Sequence, residues 1–465
     1  MNPPSIDEKP SEAVAPPFAL ILRRVAAIAF LLLLAGYLIF NRSFALLGFP
    51  PFYLGEMTLG LALVAALFDF KAVFIEPLKR SRLMQLVALF MFYGIARVAI
   101  DAPSRGLDAA RDGVLCLYAV AAFLGPWLLS SFKTTPTMDA AQTLSRFLMP
   151  VSIIVFAYAY SIAHGWMPPF SDVKVDFLAL STAVAMCVFF GCHLILNSPI
   201  RQNKSPSIFS IPMLMLFMGA AAVIVNTLPT RTLWPAPLIP VAIYILAEGF
   251  ILKRAHVWIA ALLLSLLAAG AIISQIPSMR EKIEALNDPN EQHFATRQGQ
   301  IAAHSVKWRL VFWKRCVEDT TRRAPIFGLG FGSNLTDLLR DTPNWPMFED
   351  SQNAVKYGSP NRNPHSAHVT VFTRLGGVGL LIWLGILTTV FARGFQNCRA
   401  KRERYRFGPP DRFADEHSSF IAETTLLSIW SIYLLAMSFG VVLENPFGGI
   451  WFWTLTGVIA NRKSV

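Results

Sequence analysis

Residues 363–392, NPHSAHVTVFTRLGGVGLLIWLGILTTVFA, mark the place where a polar part of the chain ends and an apolar run begins. From residue 367 onward the run is long enough to cross a bilayer as a helix, which takes about 20 residues. His365 and His368 lie at its start. A titratable imidazole at such a boundary is a candidate for chemistry at the membrane surface.

The rest of the chain shows the same membrane character. Of its 465 residues, 54% are hydrophobic and only 15% are charged, which is too apolar for an ordinary soluble protein. We therefore predict an all-α polytopic membrane protein with about twelve transmembrane helices. The predicted spans are residues 25–42, 52–70, 83–100, 113–131, 147–163, 176–196, 208–226, 233–252, 256–274, 367–392, 420–441 and 445–460.

Lysine and arginine predict the orientation, because they are enriched in short cytoplasmic loops. They fall on every second connection, so both termini are predicted to be cytoplasmic. The same distribution accounts for the net charge of +12 without a nucleic-acid partner. The basic positions are Arg23, Arg24, Lys79, Arg80, Arg82, Lys133, Arg146, Arg201, Lys204, Lys253, Arg254, Arg393, Arg399, Lys401, Arg402, Arg404, Arg406, Arg412, Arg462 and Lys463.

This topology divides the chain into four parts. Residues 1–24 are predicted to be a disordered, proline-rich cytoplasmic tail. Residues 25–274 form an N-terminal transmembrane bundle of about nine helices, and residues 367–465 form the C-terminal transmembrane helices. Between them, residues 275–366 form one long polar loop with short helices on the outer face. The five cysteines contain no CxxC pattern, so the sequence carries neither a zinc signature nor a disulfide framework in this loop.

Within the loop, residues 305–323 (SVKWRLVFWKRCVEDTTRR) have the spacing of an amphipathic helix. Val306, Leu310, Trp313 and Val317 define its predicted apolar face, and Arg309 is a neighbour of Trp313 one turn away. The helix is predicted to lie along the bilayer surface or to cap the membrane bundle, with Trp308, Phe312 and Trp313 at interfacial depth. It ends before Pro325, where three glycines permit an irregular turn. The turn is not a dinucleotide fingerprint, because no strand precedes it and the glycine spacing differs.

Two stretches resemble the hallmark region of the O-antigen ligase and O-antigen polymerase superfamily. They are RLVFWKRCVEDTTRRAPIFGLGFG (residues 309–332) and NPHSAHVTVFTRLGGVG (residues 363–379). Ser366 departs from the commoner Asn, and Arg374 stands near a place where many members carry an acidic residue. The matching positions are Arg309, Trp313, Pro325, Gly328, Gly330, Pro364, His365, Ser366, Gly376 and Gly379. Upstream, TLPTRTLW (residues 227–234) resembles a short outer-face segment of the family, which makes Arg231 the counterpart of a second functional arginine.

The resemblance implies a GT-C-like helical fold in the bacterial inner (plasma) membrane, with the long loop in the periplasm. It implies transfer of an undecaprenyl-diphosphate-linked glycan to the hydroxyl of a glycan or glycolipid acceptor, by an inverting reaction that needs no metal or other cofactor. Arg309 and Arg231 would bind the diphosphate, because guanidinium groups offer bidentate donors to a leaving phosphate. His365 would be the catalytic residue, either as the base for the acceptor hydroxyl or as a further diphosphate ligand.

Each residue also has a simpler interpretation. His365 could cap the following helix, Arg309 could lie among lipid headgroups, and Arg231 could be a snorkelling helix-end residue. His368 is one turn from His365, but no further ligand completes a metal site, so a structural role is expected. Gly376 and Gly379 are expected to serve close helix packing. Glu56, Asp69 and Glu248 lie in or near apolar spans, and the sequence assigns them no task.

Three functions remain open at this stage. The leading one is an O-antigen ligase-like enzyme whose acceptor is lipid A core. The first alternative is an O-antigen or exopolysaccharide polymerase that joins lipid-linked repeat units. The second is a non-enzymatic polysaccharide transporter or flippase, which would predict two similar halves with broken helices in matching positions. We find no such internal repeat in the sequence.

Overall fold

A computed structural model describes residues 16–49, 52–132, 138–163, 166, 178–196, 236, 238–248, 281, 284, 297–335, 338, 363–409 and 412–461. Within them, helices dominate. They are α1 (Pro17–Phe40), α2 (Arg42–Ala45), α3 (Leu54–Leu67), α4 (Glu76–Arg80), α5 (Arg82–Arg105), α6 (Leu107–Leu117), α7 (Ala121–Leu129), α8 (Ala140–Ala163), α9 (Leu178–Leu196), α10 (Leu238–Glu248), α11 (Arg297–Arg323), α12 (Ala367–Phe407), α13 (Phe413–Ser438) and α14 (Pro446–Ala460). A π-helical turn (Lys71–Ile75), two 3₁₀ turns (Tyr118–Val120 and Ser130–Phe132) and a two-stranded hairpin (β1, Gly48–Phe49; β2, Phe52–Tyr53) complete the described elements.

The prediction of an all-α polytopic membrane protein is confirmed in its broad form. Among the described residues, six helices are long and apolar enough to cross a membrane, or seven if α3 and the segment bent from it by 107° count as one span. Shorter apolar helices occur at Leu180–Cys192, Leu238–Ala247 and Pro446–Ala460. The predicted spans 208–226 and 256–274 lie outside the described residues. The count of twelve and the GT-C-like fold therefore stay predictions.

The N-terminal boundary differs from the sequence prediction. Helix α1 begins at Pro17, so residues 17–24 are helical and not part of a disordered tail. Proline favours the first turn of a helix, where its missing N–H has no partner to lose. Arg23 also has a structural role, since its guanidinium donates to the carbonyl of Trp127 (3.0 Å) and lies over that ring. The tail prediction for residues 1–15 lies outside the described residues.

Helix α14 occupies the centre of the bundle. It packs against α1, α5, α7, α12 and α13, and every residue from Phe447 to Ala460 is buried. A helix that is apolar all round is expected in such a position. Its aromatic side chains contact other helices: Phe452 packs on Trp383 of α12 (ring centroids 5.6 Å apart) and on Trp430 of α13 (5.3 Å). This core packs against the first half of α12 through Trp383.

Helix α11 is longer than predicted and buries a different face. Its buried side chains are Trp308, Phe312, Cys316 and Thr320, with Leu335 completing the contact. The predicted face was wrong, because Leu310 and Val317 are 49% and 41% exposed. The helix carries two apolar stripes of similar spacing, and periodicity alone does not say which one faces the protein. The buried stripe, which contains Trp308, Phe312 and Cys316, faces α12.

A glycine break interrupts α12. Gly376 has φ 67° and ψ −162°, a conformation that is essentially restricted to glycine. The backbone groups freed by the break bond to the turn after α11: Leu329 N–H donates to Thr373 O (2.7 Å), and Gly377 N–H donates to Pro325 O (2.8 Å). A broken membrane helix is tolerated where such partners satisfy its backbone. Gly376 is thus more than the packing glycine we predicted.

Replacement of Gly376 by alanine is expected to destabilise the protein strongly. The new Cβ would lie 2.3 Å from the carbonyl oxygen of Ile326 and 2.4 Å from the nitrogen of Gly328, and both are backbone atoms that cannot move independently. We expect the free energy of unfolding to fall by about 3 kcal/mol or more. Thermal unfolding in detergent measures it. The control is Gly385→Ala on the same helix, whose nearest contact would be an ordinary 3.6 Å from a Leu86 side chain. Equal unfolding temperatures for the two variants would contradict this role.

Candidate active site

The candidate site forms where α11 meets the residues that precede α12. The rings of Trp308 and His365 make an edge-to-face contact, with centroids 5.2 Å apart and planes at 90°. The indole N–H of Trp313 donates to the carbonyl of Pro364 (2.5 Å). Arg309 lies between these tryptophans on α11, and its charge acts on His365. The structure therefore brings together Arg309 and His365, the two predicted site residues that it describes.

Arg309 is a partly buried cation that has no counterion in the part of the chain that the structure describes. Its Nε is shielded from solvent and has no hydrogen-bond partner, and among the described residues no carboxylate forms an ion pair with it. Burial lowers the pKa of Arg309, but a guanidinium stays protonated at neutral pH. A buried charge is costly unless something pairs with it. An anion supplied by a ligand would provide that pairing.

His365 combines backbone strain with a neutral side chain. Its φ of 58° is unusual for a residue other than glycine. Such strain persists only where the surroundings fix the residue, and it is often found at functional sites. Burial lowers the pKa of His365 to about 4, and the neighbouring charge of Arg309 contributes to the shift. The imidazole is therefore neutral at neutral pH, the form that can accept a proton.

His368 has both ring nitrogens engaged within the bundle. The Trp383 indole N–H donates to His368 Nδ1 (3.0 Å), so Nε2 carries the proton and faces Ser438 Oγ at 2.9 Å. Ser438 in turn donates to Leu434 O. These contacts tie α12 to α13 and correspond to the structural role expected for His368. Within the part of the chain that the structure describes, no three His, Cys, Asp or Glu side chains form a group that could hold a metal ion.

The sequence interpretation missed several charged residues beside the site. Asp101 on α5 and Arg374 on α12 are buried, and the side chain of Asp112 on α6 is only 8% exposed. All three contact the glycine turn between residues 328 and 333. A signal for them exists, since charges are rare near apolar spans unless they are used. The same stretch, ARVAIDAPSRGLDAARDG (residues 96–113), is dense in charges. Without the fold, nothing connects it to a turn more than 200 residues away.

Glu444, between α13 and α14, is a second missed residue. Both carboxyl oxygens are shielded from solvent and have no hydrogen-bond partner among the described residues. Burial raises the pKa of Glu444 to about 7, against the opposing effects of the Thr370 hydroxyl and Arg374.

The remaining candidate residues are either not described by the structure or lie in the N-terminal bundle. Arg231 lies outside the described residues, so its presence in the site stays a prediction. Glu56 accepts a hydrogen bond from the Tyr118 hydroxyl (2.7 Å), and Asp69 accepts one from the Trp127 indole (2.8 Å). These contacts join helices of the N-terminal bundle.

The fold and the site together define an integral membrane protein of helices. Beside the start of one membrane helix lie a neutral histidine and a cation that has no ion-pair partner among the described residues. A family model described as O-antigen ligase matches residues 212–384, which include α11, the glycine turn, His365 and the break in α12. The match confirms the resemblance to the O-antigen ligase and polymerase superfamily. The family indicates ligase or related polymerase activity in polysaccharide biosynthesis, with a lipid-linked glycan and an acceptor as general partners. A comparison with curated proteins finds no match.

Proposed function

We propose that this protein transfers a glycan from undecaprenyl diphosphate to an acceptor hydroxyl at the periplasmic face of the bacterial inner membrane. One observation carries the proposal: Arg309, a cation with no carboxylate partner among the described residues, lies beside the neutral imidazole of His365 where a membrane helix begins. The family match supports it. Such a pair offers an anion site and a proton acceptor side by side.

Arg309 would act on the leaving group. When the bond between sugar C1 and the diphosphate oxygen breaks, its electron pair stays on the phosphate and negative charge grows there. A fixed guanidinium stabilises that charge most strongly where water is largely excluded. Helix α12 begins at Ala367, two residues after His365, and the partial positive charge of its first turn favours an anion near that end. Arg231 is proposed as a second ligand of the diphosphate.

His365 would act on the acceptor. The hydroxyl oxygen forms a new bond to C1 while its proton passes to the imidazole, and undecaprenyl diphosphate leaves from the opposite side. Direct attack of this kind inverts the anomeric centre, and it needs no carboxylate nucleophile. A pKa near 4 describes the free protein, in which Arg309 repels an imidazolium. A bound diphosphate would compensate that charge, and the pKa of His365 would rise toward the range that suits a base.

The orientation of α12 supports a periplasmic site. Beyond the break at Gly376 the helix continues to Phe407, about 45 Å at 1.5 Å per residue, which exceeds the hydrocarbon thickness of a bilayer. Its first part is apolar, whereas its last turns carry Arg399, Lys401, Arg402, Arg404 and Arg406. By the positive-inside rule this basic end would be cytoplasmic, and His365 would lie on the opposite face. Both chain termini would then be cytoplasmic.

We propose a ligase whose acceptor is lipid A core, with a polymerase of lipid-linked repeat units as the alternative. Both reactions share the donor and the leaving group, so the difference lies in the acceptor. Deletion of the gene in its native host separates them. We expect full-length lipid-linked polymer to accumulate without attachment, which gel analysis of lipopolysaccharide and of the lipid-linked pool measures. Accumulation of single repeat units would indicate the polymerase, and accumulation of donor in the cytoplasmic leaflet would indicate a transporter.

A further inference from the structure

Charged side chains from three helices hold the turn after α11, which comprises residues 329–333. Two carboxylates take its N–H groups: Asp101 accepts from Phe331 N (2.8 Å), and Asp112 accepts from Gly332 N (2.9 Å). Two guanidinium groups donate hydrogen bonds to its carbonyl oxygens. Arg105 donates to residues 329 and 331 (2.9 and 2.7 Å), and Arg374 donates to residues 330 and 333 (3.1 and 2.9 Å).

The second of these arginines is paired inside the protein. The side chain of Arg374 is 1% exposed, and its Nη2 lies 2.8 Å from Oδ2 of Asp112, which is 8% exposed. A buried ion pair contributes little net stability, because removal of both charges from water costs about as much as their attraction returns. The best-attested use of such pairs is to specify one arrangement of the elements they join. Here the joined elements are α6, α12 and the turn.

The turn also fixes one end of α11. The helix ends at Arg323, a few residues before the turn, and its middle part contacts the start of α12 through Trp308 and Trp313. The place of Arg309 relative to His365 thus depends on two attachments. The tryptophan contacts are one, and the charged contacts at the turn are the other. A shift of about 1 Å between reacting groups can lower a rate about 100-fold.

We propose that Arg374 and Asp112 are positioning residues. They fix α11 and thereby hold Arg309 close enough to His365 to bind the diphosphate of the donor while His365 acts on the acceptor hydroxyl. The inference rests on the proposed function. Neither side chain is required to touch the substrate.

The test uses variants that separate stability from positioning. Arg374→Met alone leaves Asp112 buried and unpaired, so its fold is at risk. The double variant R374M/D112N removes both charges and keeps an oxygen that can accept from Gly332. We expect its unfolding temperature to recover toward that of the unchanged protein, while kcat/KM for the lipid-linked donor, per folded molecule, falls about 10- to 100-fold. The control is K314M/E318Q, which removes an exposed ion pair from α11 and should leave kcat/KM unchanged.

A double-mutant cycle tests whether the effect passes through Arg309. We expect R374M/D112N to lower kcat/KM much less in an Arg309→Lys background than in the unchanged protein. The reason is that Arg309→Lys already removes the bidentate contact that the double variant would disturb. A purely structural pair would lower activity by the same factor in both backgrounds, and that result would overturn the proposal. So would a stable double variant with unchanged kcat/KM. Full activity of Arg309→Ala and His365→Ala would instead contradict the proposed function itself.

Discussion

Replacement of Arg309 by alanine is expected to lower glycan transfer about 100- to 1,000-fold, the range seen when one preorganised donor is removed from developing negative charge. Arg309 is the cation on α11 that burial leaves without a carboxylate partner among the described residues. Arg309→Lys should retain part of the activity, because it keeps the charge but loses the bidentate donors. The measurement is the initial rate of undecaprenyl diphosphate release by purified protein in liposomes.

Arg315 provides a matched control for Arg309. It lies on the same helix, but it is exposed and pairs with Glu318. Arg315→Ala should transfer glycan at the unchanged rate, since an exposed ion pair contributes little even to stability. If Arg309→Ala and Arg315→Ala were equally active, Arg309 would be an ordinary surface cation and not a ligand of the diphosphate.

Replacement of His365 by alanine or glutamine is expected to lower kcat about 100- to 10,000-fold, the usual contribution of a positioned general base. Glutamine keeps a polar side chain of similar reach but cannot take the proton. Because a base works in its neutral form, activity should fall as the pH drops through the pKa of His365. In the free protein that pKa is about 4, so the acid limb of kcat/KM should lie near pH 4.

The acid limb of kcat should lie at higher pH than that of kcat/KM. The profile of kcat reports the donor-bound state, in which the diphosphate compensates Arg309 and the pKa of His365 rises. His368→Gln is the control: it removes a contact between α12 and α13, so the unfolding temperature should fall while the pH profile per folded molecule stays unchanged. Coincident acid limbs, or a profile that moves with His368, would contradict the assignment of the base to His365.

The sequence predicted elements well where a single physical rule decides them. Apolar runs of membrane length predicted the helices, and the motif that joins Arg309, the glycine turn and His365 predicted residues that meet in the fold. Choices between similar patterns were less predictable. Helix α11 has two apolar stripes, and the buried one was identified only by its contact with Leu335 and α12.

The distant partners of Gly376 and Arg374 could not be predicted from the sequence. The sequence alone indicates only a packing role for Gly376. The structure shows that the backbone of residues 325–330 hydrogen-bonds to the break in α12 at Gly376. From the sequence, Arg374 is only a departure from the family pattern. The structure shows that it pairs with Asp112, which lies more than 250 residues earlier in the chain. Hydrophobic periodicity carries no information about such partners, because it describes only neighbours along one element.

The central claim is that Arg309 and His365 form the site of glycan transfer from undecaprenyl diphosphate. The most direct measurement compares purified wild-type protein and the R309A/H365A double variant in liposomes that contain the lipid-linked donor and an acceptor glycolipid. We predict acceptor-dependent release of undecaprenyl diphosphate by the wild-type protein, with one inverted glycosidic bond formed for each molecule released, and no release above background by the variant. Release by the folded double variant at the wild-type rate would contradict the account.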